Sequence, residues 1–249
     1  MPQMRQSEVC EAGPFVHREP TGECPGYGSK RKGMVAGQPP YIIAELSGNH
    51  GGSLDNALRL IKEAKRAGAD AVKFQCFEPE ALAFKRVGVM WHGKPMTYDQ
   101  LVALYRKTHT PKAWFPKLIK CCSDLGIDWF ASAFSVADVR FLEMVDCPRY
   151  KISAYEMLDG DLINEVVRTG KPIIMSVRPT ERVTILEATD YDGNFLPLGL
   201  SDHSPIPVYD VRGRPMVERH IMLPDVPNED QDFSSDPAEF AMYVDAIRD

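Results

Sequence analysis

From Tyr41 onward the chain alternates between two hydrophobic textures. Tyr41-Ile42-Ile43-Ala44-Glu45-Leu46 is a short apolar run, as expected of a strand buried on both faces. A helical pattern follows. Ser53 is a suitable N-cap, Leu54, Leu58, Ile61 and Ala64 share one stripe, and Gly68 stands where a left-handed terminal residue belongs. Ala69–Gln75 predicts a second strand. A long excursion, Cys76–His109, holds a helix opened by the capping-box spacing Thr97-x-x-Gln100. Thr110 as N-cap and Pro111 at the first helical position open the next helix, which carries Trp114, Leu118, Cys122 and Leu125 and stops at Gly126. Asp128–Ala133, Tyr150–Ser153 and Pro172–Ser176 predict strands three to five, with helices over Ser135–Val145 and Asp161–Gly170 between them. Strands alternating with helices predict βαβ units and a parallel sheet.

After Ser176 the rhythm breaks. Val183–Ala188, Leu198–Ser201 and Met216–His220 predict strands six to eight, and Asp236 caps a final helix over Pro237–Ile247. Only Val177–Arg182 separates strands five and six, too short for a helical crossover of about a dozen residues. The later gaps are short or broken by Pro197, Pro205, Pro207 and Pro215. The pattern therefore predicts an α/β fold, a (β/α)8 TIM-type barrel over residues 34–249 with several outer helices missing in its C-terminal half. Residues 1–33, rich in Gly, Pro and charge without periodicity, are expected to form an irregular lead-in, with a short hairpin around Met34-Val35-Ala36.

Composition sharpens this picture. Six of the 20 prolines fall in residues 1–40, five in 41–170 and nine in 171–249, so helices should concentrate in the middle of the chain. A net charge of −6, with Lys30-Arg31-Lys32 the longest basic run, argues against nucleic acid as a main partner. That run reads as a solvated turn. No apolar stretch approaches the ~18 residues of a membrane span, and Met1–Gln6 lacks a signal-peptide core, so a cytoplasmic protein without membrane contact is expected. The six cysteines form no C-x-x-C pair and read as reduced thiols, and Cys10, His17 and Cys24 match no zinc spacing.

In a parallel barrel, chemistry gathers at the carboxyl ends of the strands. Those ends offer Glu45, then Asn49-His50-Gly51-Gly52, Lys73 and Gln75, Ser132, Lys151, Ser153 and Glu156, Ser176, Ser201-Asp202-His203, and Glu218 with His220. Two lysines and several hydroxyls at one mouth suit a phosphorylated anion. Two histidines on adjacent strands, with carboxylates nearby, suit a divalent metal with open positions.

These residues stand in motifs that resemble the sialic acid synthase family. The motifs are Tyr41-Ile-Ile-Ala-Glu-Leu-Ser-Gly-Asn-His50, Gly68-Ala-Asp-Ala-Val-Lys-Phe-Gln75, Tyr150-Lys-Ile-Ser-Ala-Tyr-Glu156, Gly170-Lys-Pro-Ile-Ile-Met-Ser176, Gly199-Leu-Ser-Asp-His203 and Val217-Glu-Arg-His220. Thr108-His-Thr-Pro-Lys-Ala-Trp114, with Tyr155-Glu156, is closer to the pseudaminic acid synthase branch, and the segment 232–240 is similar to the one before the family's last barrel helix. The resemblance implies metal-dependent condensation of phosphoenolpyruvate with an open-chain amino-sugar aldehyde, giving a nine-carbon 2-keto acid and phosphate. It implies that Lys73, Ser132, Lys151, Ser176 and Ser201 grip phosphoenolpyruvate, and that Glu45, with Asn49, His50 and Gln75, meets the sugar. Glu156 would assist proton transfer, and Glu45, Glu156, Lys73 and Lys151 form the catalytic set. His203 and His220 would hold a manganese- or magnesium-like ion, with Glu218 and Asp230 as further candidates.

The chain also departs from the family. Ala154 replaces a serine, Val177-Arg178-Pro179 replaces Thr-Gly-Met, and Asp190-Tyr191-Asp192-Gly193 replaces a polar segment over the phosphate, where acidic groups would be repulsive. The family's small C-terminal antifreeze-like domain is not in this sequence, so an incomplete sugar site is expected. A homo-oligomer or a partner protein is expected to cover the helix-poor side. Two other readings remain at this point: a related lyase or transferase acting on another acceptor, and a non-catalytic assembly module.

Overall fold

The computed structural model describes residues 39–88, 90–91, 94–177, 183–189, 195–205, 211 and 214–249. All described residues belong to one compact unit, Lys32–Asp249. The expected lead-in, the hairpin at Met34, the Lys30–Lys32 turn, the Cys10, His17 and Cys24 group and the 190–193 segment lie outside the described residues.

Eight strands close a barrel. They are β1 (Tyr41–Glu45), β2 (Ala71–Cys76), β5 (Asp128–Ala133), β6 (Tyr150–Ile152), β7 (Ile173–Val177), β8 (Val183–Thr189), β9 (Phe195–Asp202) and β10 (Met216–His220), in the order β1-β10-β9-β8-β7-β6-β5-β2. The excursion after β2 adds a two-stranded ribbon, β3 (Met90–Trp91) and β4 (Lys94–Pro95). The helices are α1 (Leu54–Arg66), α2 (Pro79–Arg86), α3 (Tyr98–Thr108), α4 (Phe115–Leu125), α5 (Val136–Met144), α6 (Gly160–Arg168) and α7 (Pro237–Arg248).

The caps follow the sequence closely. Ser53 accepts from Asn56 N, Thr97 and Gln100 make both halves of a capping box, and Asp236 and Glu239 make another. Gly126 ends α4 at φ 60°. Two local expectations change. Thr110 does not cap α4, because Pro111 is extended (ψ 133°) and a 3-10 turn over Lys112–Trp114 precedes the helix. The excursion also holds α2, which begins at Pro79 in the first turn, a favoured place for proline.

Strand direction differs more deeply. The sequence predicts a parallel sheet, yet β8 pairs antiparallel to both β7 and β9, while the other barrel pairs are parallel. The cause is the connection. Five residues separate Val177 from Val183, which allows a hairpin return but no crossover. Among the described residues no helix lies between β7 and β9. β8 turns Thr184, Leu186 and Ala188 inward and leaves Val183, Ile185, Glu187 and Thr189 partly exposed.

The core is continuous from the barrel interior to the helix undersides. Ile42, Ile43, Phe74, Leu60, Leu118 and Leu142 are all buried, each worth about 1.5–3 kcal/mol against exposure. Gly199 lets β9 approach β10, since a Cβ there would lie 2.7 Å from the Met216 carbonyl oxygen. On the outer face of β10, buried Arg219 donates to Ser235 Oγ (2.7 Å) and the Ser204 carbonyl (3.1 Å), tying β10 to the segments around it. No helix among the described residues is long and apolar enough to cross a membrane.

Candidate active site

A cavity of about 470 Å³ opens at the carboxyl ends of the parallel strands. Every barrel strand contributes: Glu45 from β1, Lys73 and Gln75 from β2, Ser132 from β5, Lys151 from β6, Ser176 from β7, Thr184 from β8, Ser201 from β9, and Glu218 and His220 from β10. The two-residue spacing of Lys73 with Gln75, and of Glu218 with His220, puts each pair on the same inward face.

The floor is a buried charge cluster. Lys73 Nζ lies 2.8 Å from Glu218 Oε2 and 3.2 Å from Glu45 Oε2. Burial works against the charge on Lys73, but these two carboxylates outweigh it and hold its pKa above the ordinary value. Burial would likewise push Glu218 up, and facing Lys73 and Lys151 reverse that, keeping Glu218 ionised well below the carboxylate range. Ser201 Oγ also donates to Glu218 (2.8 Å). Lys151 differs. It donates to the Ser176 hydroxyl, and burial followed by repulsion from Lys73 brings its pKa down to about 8. Lys73 is thus neutralised by two carboxylates, whereas Lys151 offers its charge to a ligand.

A polar chain runs along another wall. Gln75 Nε2 donates to Glu45 Oε1 (2.8 Å), Ser47 Oγ donates to Asp230 Oδ2 (2.5 Å), and Asp230 Oδ2 lies 3.3 Å from His220 Nδ1. An aromatic part of the lining joins the excursion to the end of β5: Phe77 packs edge-on against Tyr105 and against Phe134, and all three line the cavity.

His203 and His220 stand 5.2 Å apart by ring centroid, each edge-on to Phe233. Burial, then neighbouring His220, lowers the His203 pKa to about 4, so the ring is neutral near pH 7 and has a lone pair to give. Two imidazoles on adjacent strand ends, with Asp230 behind His220, suit a divalent cation with open positions. Among the described residues no group of three His, Cys, Asp or Glu is arranged to hold a metal. Glu218, a candidate ligand by sequence, is engaged by Lys73 and Ser201 instead.

Two expected site residues, His50 and Glu156, do not line the cavity, and a third, Asn49, is tied into the surrounding backbone. His50 is buried but does not line the cavity: its ring meets Trp114 edge-on and its Nδ1 accepts from Gly52 N (3.0 Å). The turn through Gly51 and Gly52, at φ 57° and 75°, carries the chain away from the mouth just there. Asn49 touches the cavity, but its amide is committed to the Ile221 carbonyl (2.8 Å) and Ser234 Oγ (3.0 Å). Glu156 does not line the cavity, because Arg86 and Ser153 clasp its carboxylate from the cavity side. Arg86 escaped the sequence reading. It arrives on α2, is buried, and lies 4.1 Å beneath the Tyr155 ring. Thr184 also escaped, since its place at the mouth depends on the reversal of β8.

At the carboxyl end of β8, Thr189 Oγ1 accepts from Ile173 N at the amino end of β7, the end of the barrel opposite the mouth.

A closed α/β barrel with buried lysines, hydroxyls and paired histidines at its strand ends belongs to the class that binds small anions at the barrel mouth. Residues 60–191 match the NeuB family. The chain is 34% identical to the pseudaminic acid synthase of Campylobacter jejuni, over 84% of this chain and 73% of that protein. It is 32% identical to the Helicobacter pylori pseudaminic acid synthase, over 85% of this chain and 74% of that one. The human N-acetylneuraminate-9-phosphate synthase is 28% identical over 82% of this chain and 57% of its own length. The spore coat polysaccharide biosynthesis protein spsE of Bacillus subtilis superposes with a TM-score of 0.64 at 25% identity, covering 86% of this chain and 69% of that structure. The chain belongs to the NeuB family.

Proposed function

We propose that this chain condenses phosphoenolpyruvate with an amino-sugar aldehyde, yielding a nine-carbon 2-keto sugar acid of the pseudaminic or sialic type and phosphate. The observation that carries the reading is the pair of buried lysines among Ser132, Ser176 and Ser201 at the mouth of a NeuB-family barrel. Lys151, with Ser176, binds the anionic oxygens, and Lys73, fixed by Glu45 and Glu218, sets the field beneath them. Glu45, oriented by Gln75, faces the sugar. The methylene carbon of phosphoenolpyruvate bonds to the aldehyde carbon, whose oxygen takes up a proton to become a hydroxyl. Water adds at the phosphate-bearing carbon and gives up a proton, and the bond from that carbon to the phosphate oxygen breaks, leaving a keto group and free phosphate. Glu156 acts through Arg86 and Ser153, the two groups that face the reacting molecules.

His203 and His220 would hold a divalent cation, manganese or magnesium, with Asp230 orienting His220. Such an ion supplies Lewis-acid polarisation of the aldehyde oxygen. The reaction is assigned to the cytoplasm, supported by the free thiols of Cys76, Cys121, Cys122 and Cys147. A second copy of the chain is assigned to the outer face of β7 and β8, supported by the incompletely covered Ile173, Met175 and Ile185.

One experiment tests these statements. The purified protein is incubated with phosphoenolpyruvate, manganese and a panel of N-acylated hexosamines, and phosphate release and product mass are followed. Manganese-dependent phosphate release with a nine-carbon keto acid is expected. No release with any sugar would overturn the synthase reading. Light scattering on the same sample should show a homo-oligomer, and a monomer would remove the second copy.

A further inference from the structure

The reversal of β8 has a chemical result. In a parallel strand the residues at its carboxyl end, Ala188 and Thr189, would stand at the mouth. Here Val177 pairs with Ile185 and Asp202 with Val183, so the amino end of β8 stands there instead. Thr184 faces inward, is buried, lies in register with Ser201 and lines the cavity beside Ser176 and Lys151. Thr189 is at the far end, bonded to Ile173 N.

We propose that Thr184 is an anion-contacting residue, its hydroxyl joining those of Ser176 and Ser201 around the oxygens of phosphoenolpyruvate. This rests on the synthase reading of the site and extends it to a residue that a parallel sixth strand would place away from substrate. A hairpin return exchanges the polar end of the strand for its start, and the start also carries a hydroxyl. The mouth thus keeps a hydroxyl from every strand between β7 and β9. The contact is one hydrogen bond to a charged oxygen, so its loss should be felt in affinity and leave the fold intact.

The test is calorimetric titration of phosphoenolpyruvate into the full chain and three variants, with thermal unfolding as a control. Thr184→Val should bind about tenfold more weakly at an unchanged melting temperature. Thr184→Ser should stay within about twofold of wild type, and Thr189→Val should bind like wild type. Wild-type affinity in Thr184→Val, or the loss appearing in Thr189→Val, would overturn the assignment while leaving the synthase reading in place. Failure of the unmodified chain to bind phosphoenolpyruvate would overturn that reading, and this assignment with it.

Discussion

The two halves of the barrel reach the same mouth by different routes. From β1 to β7 each barrel strand is joined to the next through at least one helix, every barrel pair is parallel, and the functional groups stand at carboxyl ends. From β7 to β9 short connections turn the chain straight back, and β8 offers its amino end. The first half supplies both lysines, Arg86 and Glu45. The second supplies the hydroxyls of Thr184 and Ser201 and the histidine pair. A connection long enough to carry the chain back is therefore needed to keep neighbouring strands parallel, but no covering helix is needed to bring a polar side chain to the mouth.

The largest break in that comparison should come at the seam. Lys73, from the helix-covered half, holds Glu45 and Glu218 together across β1, β2 and β10. Lys73→Met leaves two buried carboxylates unpaired and should cost about 3–5 kcal/mol, lowering the melting temperature by roughly 10 °C. Adding Glu218→Gln should restore part of that loss. An unchanged melting temperature would mean the cluster is not buried as described.

In the hairpin half the matching weakness is steric. A Cβ at Gly199 meets the Met216 carbonyl at 2.7 Å, so Gly199→Ala should cost about 1–3 kcal/mol by forcing β9 from β10. Thermal unfolding checks it, and full stability would show that the two strands are not in close contact there.

The smallest effect is a titration. Lys151 binds anions as an ammonium and its pKa in the free site is about 8, so the charge is present below pH 8 and lost above it. Phosphoenolpyruvate affinity should hold near pH 7 and fall about tenfold by pH 9. A flat profile would place the binding charge elsewhere, on Lys73, whose pKa is raised.

Much of the first half was legible because its signals are local. Ser53, Thr97, Gly126 and Asp236 act on backbone within a few residues, and strand ends follow from apolar runs. Lys73, Ser132, Lys151, Ser176, Ser201, His203 and His220 all reached the cavity for the same reason: a strand end is a position along the chain. His50 and Glu156 did not. Each lies a few residues beyond its strand, where turn geometry and partners such as Trp114 and Arg86 decide orientation.

By itself the sequence determined a closed eight-stranded α/β barrel, the lysines and histidines at its mouth, and the shortage of helices after β7. Periodicity, caps and connector lengths are properties of neighbouring residues. Only the tertiary structure decided the direction of β8, the placement of Arg86 against Glu156, and the division of labour between Lys73 and Lys151. Those depend on which groups meet across the barrel. Direction follows from where a short return can find hydrogen-bond partners, and charge state follows from which ions are buried together.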